Sequence, residues 1–324
     1  MDLDGLTSEV DALLADADEA YARQYPGAGS DRGPIQTLYV EAGAFHHHYV
    51  RDAGREAQQL LLEHAEAFLG VLGGDDVLMG RVLDKLATEP VEDLRIDFAD
   101  PVGDAAAEDR RIDEAAFAWS SAAEAGTLSR VGGVRVPGLG PADRSRSVRT
   151  VGRFLDALGE IPDGFVVTVP AVATIAQVEA LVRLTELIEK DLPGRLRFEI
   201  QIEGPQAVLG PKGSVLVAKM IHESEGRLVA VHLVPDGFGG ARLADHALTL
   251  VRAATHETGV RVADGSRLEG PPRGSVVDAW QGHLDLVRRA LARGFVQGRD
   301  THASQLPTRY AATYAHHALK DAHV

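Results

Sequence analysis

The chain has 324 residues, 45% hydrophobic and 25% charged, with a formal net charge of −15 and no cysteine. Without cysteine there can be no disulfides, thiolate nucleophiles or Cys-ligated zinc and iron–sulfur sites. The negative charge, with no Lys/Arg cluster to offset it, excludes nucleic acid and anionic membrane surfaces as expected partners.

The opening MDLDGLTSEVDALLADADEA reads as an amphipathic helix reaching about Tyr21, with Thr7 or Ser8 as its cap. It lacks the basic start and apolar stretch of a secretory signal, and no apolar run nears the roughly 18 residues of a membrane span, so a cytoplasmic location is expected. YPGAGSDRGP (25 to 34) is a loop dense in turn residues. Short β-branched runs then alternate with helical patterns. Strands are expected at 37 to 43, 93 to 100, 133 to 139, 165 to 172, 196 to 203, 227 to 234 and 259 to 263, with an eighth, weaker in pattern, near GFVQGRDTHA (294 to 303). Helices between them include REAQQLLLEHAEAFL, RTVGRFLDALGEI, TIAQVEALVRLTELIEK, ARLADHALTLVRAATHE and VVDAWQGHLDLVRRALARG. Repeated strand–helix units predict an α/β fold of the (β/α)8 type, a TIM barrel, with a doubly wound open sheet as the alternative. The expected organisation is an N-terminal helix and loop over 1–34, the barrel over 35–303 and a C-terminal helical extension over 304–324.

Strand faces carry the functional signal. In RFEIQIEG (197 to 204), Phe198, Ile200 and Ile202 share one face and Arg197, Glu199, Gln201 and Glu203 the other. Likewise Leu94, Ile96 and Phe98 oppose Arg95 and Asp97, and Arg135 opposes Val134 and Val136. In a closed barrel the apolar face packs on helices and the polar face lines the lumen, where opposite charges must pair to offset their burial. The deeper charges are expected to be structural. Glu203, the last inward residue of its strand, reaches the C-terminal mouth where barrel active sites form.

Histidine is plentiful at 13, but the triplet His46 to His48 cannot converge on one ion, because adjacent residues do not share a face. His46 alone, expected at the mouth after the first strand, is a candidate acid/base or substrate contact, and His232 is expected in the lumen. GLGPAD (138 to 143) lacks the third glycine of a dinucleotide fingerprint, and no Gly-x-Ser-x-Gly elbow occurs.

Several segments together resemble the HpcH/HpaI aldolase and citrate lyase beta-subunit family of the phosphoenolpyruvate-binding barrels. LYVEAGAFHH is similar to its first strand, EDLRIDFADPVG to its acidic second, GVRVPGL to its arginine strand, GFVVTVPAVATIAQVEALV to its fourth and IEGPQAVLG to the segment closing its fifth. GFVQGRDTHASQLPTRYAATYA resembles the closing His-x-x-Gln region of a branch sharing QLPTRYAATYA. The resemblance implies a divalent-metal-dependent carbon–carbon lyase acting on a 2-oxo acid or β-hydroxyacyl substrate, with Mg²⁺ (or Mn²⁺) held by Glu203 and Asp236. It implies that Arg135 orients the anion, that Asp100 holds metal-bound water, and that His302 and Gln305 contact the substrate. The metal chemistry suits such residues, since Mg²⁺ takes hard oxygen ligands, often one or two carboxylates plus waters. Asp236 in VPDGFGG also fits plain Asp-Gly turn chemistry. A small carboxylic acid, an acyl thioester and further copies of the chain are the implied partners, the last through the helical tail after Leu306. Three departures stand out: Ala99 where the family has an acid, Ala171 where the branch has a lysine, and Gly204 where a threonine follows the metal-binding glutamate. They keep open a barrel that binds a small acid or a partner without turnover, and hydrolysis of an acyl thioester is a third alternative.

Overall fold

The structure, a computed structural model, describes residues 2–27, 33–265 and 275–321; residues 28–32 of the expected N-terminal loop lie outside the described residues. Helix α1 (Leu3–Gln24) precedes strand β1 (Gln36–Glu41), and three helices follow, α2 (Tyr49–Glu63), α3 (Ala65–Val71) and α4 (Asp76–Thr88). Then come β2 (Asp93–Asp97), α5 (Ala105–Glu124), β3 (Val131–Arg135), α6 (Arg144–Leu158), β4 (Phe165–Val169), α7 (Ile175–Ile188) and β5 (Arg197–Ile202). The chain continues through α8 (Leu216–Glu223), β6 (Leu228–Leu233), α9 (Ala241–Thr255), β7 (Arg261–Asp264), α10 (Val276–Ala292), β8 (Gln297–Asp300) and α11 (Leu306–Asp321). Every strand pairs in parallel with the next and β8 pairs with β1, opposing Gly298 to Gln36, so the sheet is a closed eight-stranded barrel. Closure removes the open-sheet alternative. No helix among the described residues is long and apolar enough to cross a membrane.

Outward-facing Leu38, Val40, Leu94, Ile96, Val134, Val167, Phe198, Ile200 and Ile202 are buried beneath the helices. Acids and hydroxyls start those helices: Asp75 accepts from the Leu78 amide, Asp104 from that of Ala107, and Thr174 and Gln177 form a reciprocal capping box. Strands β3 and β4 stop short of the expected ends because Pro137 and Pro170 have no N–H to give the ladder, and β2 ends at Asp97, ahead of the expected 100. The predicted helix through residues 55 to 69 is broken at His64, whose backbone leaves helical geometry at φ −121°, ψ 30°. The break aims Phe68 at Trp280, ring centroids 4.8 Å apart. Helix α1 begins earlier than expected because Asp2, not Thr7 or Ser8, caps it by accepting from the Gly5 amide at 3.0 Å. Helix α11 packs on its own barrel, with Leu306, Thr308, Arg309, Tyr310, Ala311 and Ala312 buried beside α4 and α10. The first half of the tail is therefore covered by its own chain.

Candidate active site at the barrel mouth

The lumen is ionic throughout its depth. At its floor Thr37 donates to Asp93 at 2.9 Å and accepts from Gln297 at 2.8 Å. Above them Arg95, fully buried, contacts Asp93, donates through Nε to Thr168 at 2.8 Å, and lies 3.1 Å from Glu199. Glu199 also accepts from Thr168 at 3.0 Å and meets His232 Nε2 at 3.1 Å. His232 is a lumen residue, as its strand parity predicts. Gly133 opposes Arg95 in the register of β2 and β3, and a Cβ there would lie 1.9 Å from the Val166 carbonyl oxygen, so only glycine lets β3 and β4 approach at this level. Burial works to raise the Glu199 pKa, but Arg95 and His232 outweigh it and hold the carboxyl well below its usual range. Asp93 shifts the other way, since its burial exceeds what a share of Arg95 returns. These charges neutralise one another and form the platform on which the mouth is built.

At the mouth, Arg135 donates through Nε to Gln201 Oε1 at 3.0 Å and through Nη1 to both oxygens of Asp97, each at 3.1 Å. Gln201 donates in turn to the Tyr39 hydroxyl at 3.3 Å, and the Arg299 guanidinium lies 4.2 Å from the centre of the Tyr39 ring. Burial pushes the Tyr39 phenol up to about 12, so it stays protonated near neutrality. Asp97 further accepts from the Ala99 amide at 3.0 Å and lies 4.0 Å from Arg299. Two guanidinium groups thus share one carboxylate. Arg135 Nη2 makes no hydrogen bond among the described residues, and its side chain is 13% exposed, so it can receive an anion from solvent.

Glu203 lies one pleat beyond Gln201 and is half-buried, while Asp236 is exposed in the single helical turn Pro235–Phe238 after β6. Gly237 brings the two segments together: a Cβ on it would lie 1.6 Å from the Glu203 carbonyl oxygen. Neither carboxylate has a hydrogen bond or ion pair among the described residues. Carboxylates on two segments in backbone contact are hard oxygen donors of the kind taken by a Mg²⁺ or Mn²⁺ that keeps several waters. A fully protein-caged ion does not fit, because among the described residues no group of three or more His, Cys, Asp or Glu side chains could hold a metal.

The other expected residues are placed differently. Asp100 is exposed at the end of β2, where its carbonyl accepts from Arg111 at 2.9 Å. His302 and Gln305 cap the turn after β8: His302 Nδ1 accepts from the Ser304 amide at 3.1 Å, and Gln305 Oε1 accepts from the amides of Thr301 and His302 at 2.7 and 3.1 Å. Those contacts give His302 Nδ1 and Gln305 Oε1 a role in shaping the turn, while His302 Nε2 lies 3.5 Å from Glu56. His46 is exposed and leaves the mouth altogether. The next residue, His47, accepts through its carbonyl from Thr127, which lies in the loop entering β3 at the opposite end of the barrel. The chain descends the outer wall after β1 before α2 begins, so sequence proximity to the strand end is misleading here. Ala171 lies just after β4 at φ 53°, a left-handed conformation that costs a non-glycine residue roughly 1 kcal/mol. The Val172 amide beside it bonds the Gln201 carbonyl at 3.1 Å.

Tyr39, Asp97, Gln201 and Arg299 complete a site that sequence reasoning only partly marked. Gln201 and Asp97 stand on the inward faces predicted for them, and Tyr39 has the inward parity of its strand. Arg299 belongs to the strand with the weakest pattern.

A closed parallel barrel with an ionic lumen and a cationic, carboxylate-rimmed mouth places this chain among the (β/α)8 barrels. It belongs to the family described as Domain of unknown function (DUF6986), which matches residues 14–238 and 240–323. Among curated proteins, none matches the chain. Among solved structures it is similar to CitE of Mycobacterium tuberculosis in complex with magnesium and acetate, at 15% identity and TM-score 0.50, over 89% of this chain and 96% of that one. It is also similar to the citrate lyase beta subunit of M. tuberculosis complexed with oxaloacetate and magnesium, at 16% identity, TM-score 0.48 and coverage of 87% and 97%. RipC of Yersinia pestis follows at 18% identity and TM-score 0.49, with coverage of 70% and 90%. At these identities the likeness is one of fold.

Proposed function

We propose that this barrel is a divalent-metal-dependent carbon–carbon lyase acting at its mouth on a small 2-oxo acid or β-hydroxyacyl compound. The supporting observation is the backbone contact, at Gly237, between the segments that carry Glu203 and Asp236, two carboxylates without hydrogen-bond or ion-pair partners among the described residues, in a barrel whose Arg135, at the end of β3, keeps an N–H available. Glu203 and Asp236 would hold Mg²⁺ or Mn²⁺, which when bound supplies Lewis-acid stabilisation of enolate charge. Arg135 Nη2 donates to the substrate carboxylate or to the oxygen on which charge develops. Asp97 and Gln201 fix the plane of that guanidinium, so the donor is oriented before substrate arrives. Asp100, exposed at the rim, is assigned to ordering water. CitE, which shares the fold, was solved with magnesium and acetate, and a small carboxylate is the ligand class assigned here.

Calorimetric titration of Mg²⁺ and Mn²⁺ into wild type and Glu203→Ala tests the metal assignment: binding to wild type that is lost in the variant is expected, and no binding to either ends it. A screen with pyruvate, glyoxylate, oxaloacetate and malyl thioesters then tests the chemistry. A second reading, ligand binding without turnover, draws support from Ala99 and Ala171, which leave the ends of β2 and β4 poor in functional groups. Metal-dependent turnover that disappears in Arg135→Ala excludes it.

A further inference from the structure

Helix α1 is the anomaly of the molecule. It runs for 22 residues with none buried, although Leu3, Leu6, Val10, Leu13, Leu14 and Tyr21 are large apolar side chains at 48 to 76% exposure. After it the chain is tied to the barrel by the Gly27 amide, which donates to the Glu257 carbonyl at 3.0 Å. Leu3, Leu6, Val10, Leu13, Ala17 and Ala20 recur at alternating spacings of three and four, the seam of a two-stranded coiled coil. Leu14 and Tyr21 widen one flank, and the acids Asp4, Asp11, Asp18 and Glu19 lie on the far side.

We propose that α1 pairs with α1 of a second copy of this chain in an antiparallel coiled coil. The distribution of side-chain size along the seam sets the direction. Its N-terminal half is large and its C-terminal half small, so a parallel pair would set alanine against alanine and leave voids. Reversing one helix puts Leu3 opposite Ala20 of the second copy, Leu6 opposite Ala17, and Val10 opposite Leu13, and the two-fold axis repeats each layer. The same register brings Arg23, the helix's one basic residue, beside Asp2 and Asp4 at the other helix's N-terminus. The twelve large apolar side chains of such a pair would cover on the order of 1,000 Å², close to the ~1,200 Å² at which specific interfaces begin. Glu9 would then approach Asp16 of the second copy, a like-charge pair that weakens the contact at low salt.

Sedimentation equilibrium on the full chain is expected to give twice the 34.5 kDa chain mass, with association tightening as salt is raised. Leu13→Asp should return the monomer mass with unchanged circular dichroism, since Leu13 is 76% exposed and supports no core. The chain has no cysteine, so disulfide trapping reads the register directly. Leu6→Cys/Ala17→Cys should cross-link on oxidation, whereas Leu6→Cys alone should not. A monomeric wild type at high salt, a dimer that survives Leu13→Asp, or efficient cross-linking of Leu6→Cys alone would each overturn the proposal. Association weakened by salt would mean that attraction between charges holds the copies together in place of the apolar seam, and would overturn it equally.

Discussion

Arg135 Nη1 stands 3.1 Å from each oxygen of Asp97, so a single nitrogen of the guanidinium spans the carboxylate while Nε goes to Gln201 and Nη2 is spared. Lysine at position 135 could keep one charged contact but has neither the fork nor the reach to Gln201. Arg135→Lys is expected to remain folded, with a stability loss of about 1–2 kcal/mol in urea denaturation, and to lose at least about tenfold in affinity for small carboxylates, 1.4 kcal/mol being a factor of ten. Unchanged affinity in this variant would remove Arg135 from the site.

Arg95 is the cation shared by Asp93 and Glu199 in the dry part of the lumen. Replacing it with methionine leaves two buried acids short of a partner, and a loss of about 3–5 kcal/mol is expected in chemical denaturation. Neutralising the acids as well, in Arg95→Met/Asp93→Asn/Glu199→Gln, should recover part of that loss. If the triple variant is no more stable than the single one, charge compensation is not what the network supplies.

Asp300 faces outward from β8 and accepts from Arg309 at 2.7 Å and from His283 at 3.1 Å. Burial would raise its pKa, yet Arg309 and His283 hold it down to about 2. A depressed carboxylate contributes stability that is complete above its unfolded pKa, near 4, and is lost as pH falls toward 2. His283 has the same sign, because burial lowers its pKa and the unfolded chain takes up its proton first as acid is added. Urea midpoints measured from pH 5 to pH 3 should therefore fall less steeply in Asp300→Asn than in wild type, the full difference across the two pKa values being on the order of 2 kcal/mol. Parallel curves would contradict this assignment.

How much of this could be read in advance depended on which signal each element carries. The alternation in RFEIQIEG and LRIDFAD exposed both the barrel and its charged lining, because a parity of two survives whatever the loops do. The last strand was nearly hidden, since its inward Gln297 and Arg299 are balanced by an outward Gly298 and Asp300, and its outer face is held by ions instead of apolar contact. His46 was misplaced for the opposite reason: the route a loop takes over the outer wall leaves no periodic trace. Asp97 was visible as an inward acid, but nothing local distinguished a rim residue paired with Arg135 from a deeper structural one such as Asp93.

The phenols offer a spectroscopic check. Burial pushes Tyr39 and Tyr49 up to about 12 and holds Tyr310 well above its usual range. Of the six tyrosines, these three should therefore ionise only well above the usual phenol range when absorbance is followed near 295 nm. Tyr39→Phe should remove one of these late steps and cost about 1 kcal/mol, since Gln201 loses its acceptor while the ring beneath Arg299 remains.

Gly237 tests the rim without touching a charge. Any side chain there must displace the Glu203 carbonyl, so Gly237→Ala is expected to lower metal affinity with both carboxylates intact and the lumen network undisturbed. Wild-type affinity in this variant would separate the Glu203 contact from the proposed ion.

Tyr310, near the chain's far end, donates to the carbonyl of Pro90 at 2.9 Å and accepts from Gln36 on the first strand at 3.2 Å. During synthesis the opening strand therefore waits for a side chain made some 270 residues later, on the order of half a minute at ribosomal speeds of ~10 residues per second. Until β8 has been made, β1 has β2 on one edge and no strand on the other. The nascent chain is thus open to strand-edge association until β8 has been made, and its demand for chaperones is expected to follow translation time more than final stability.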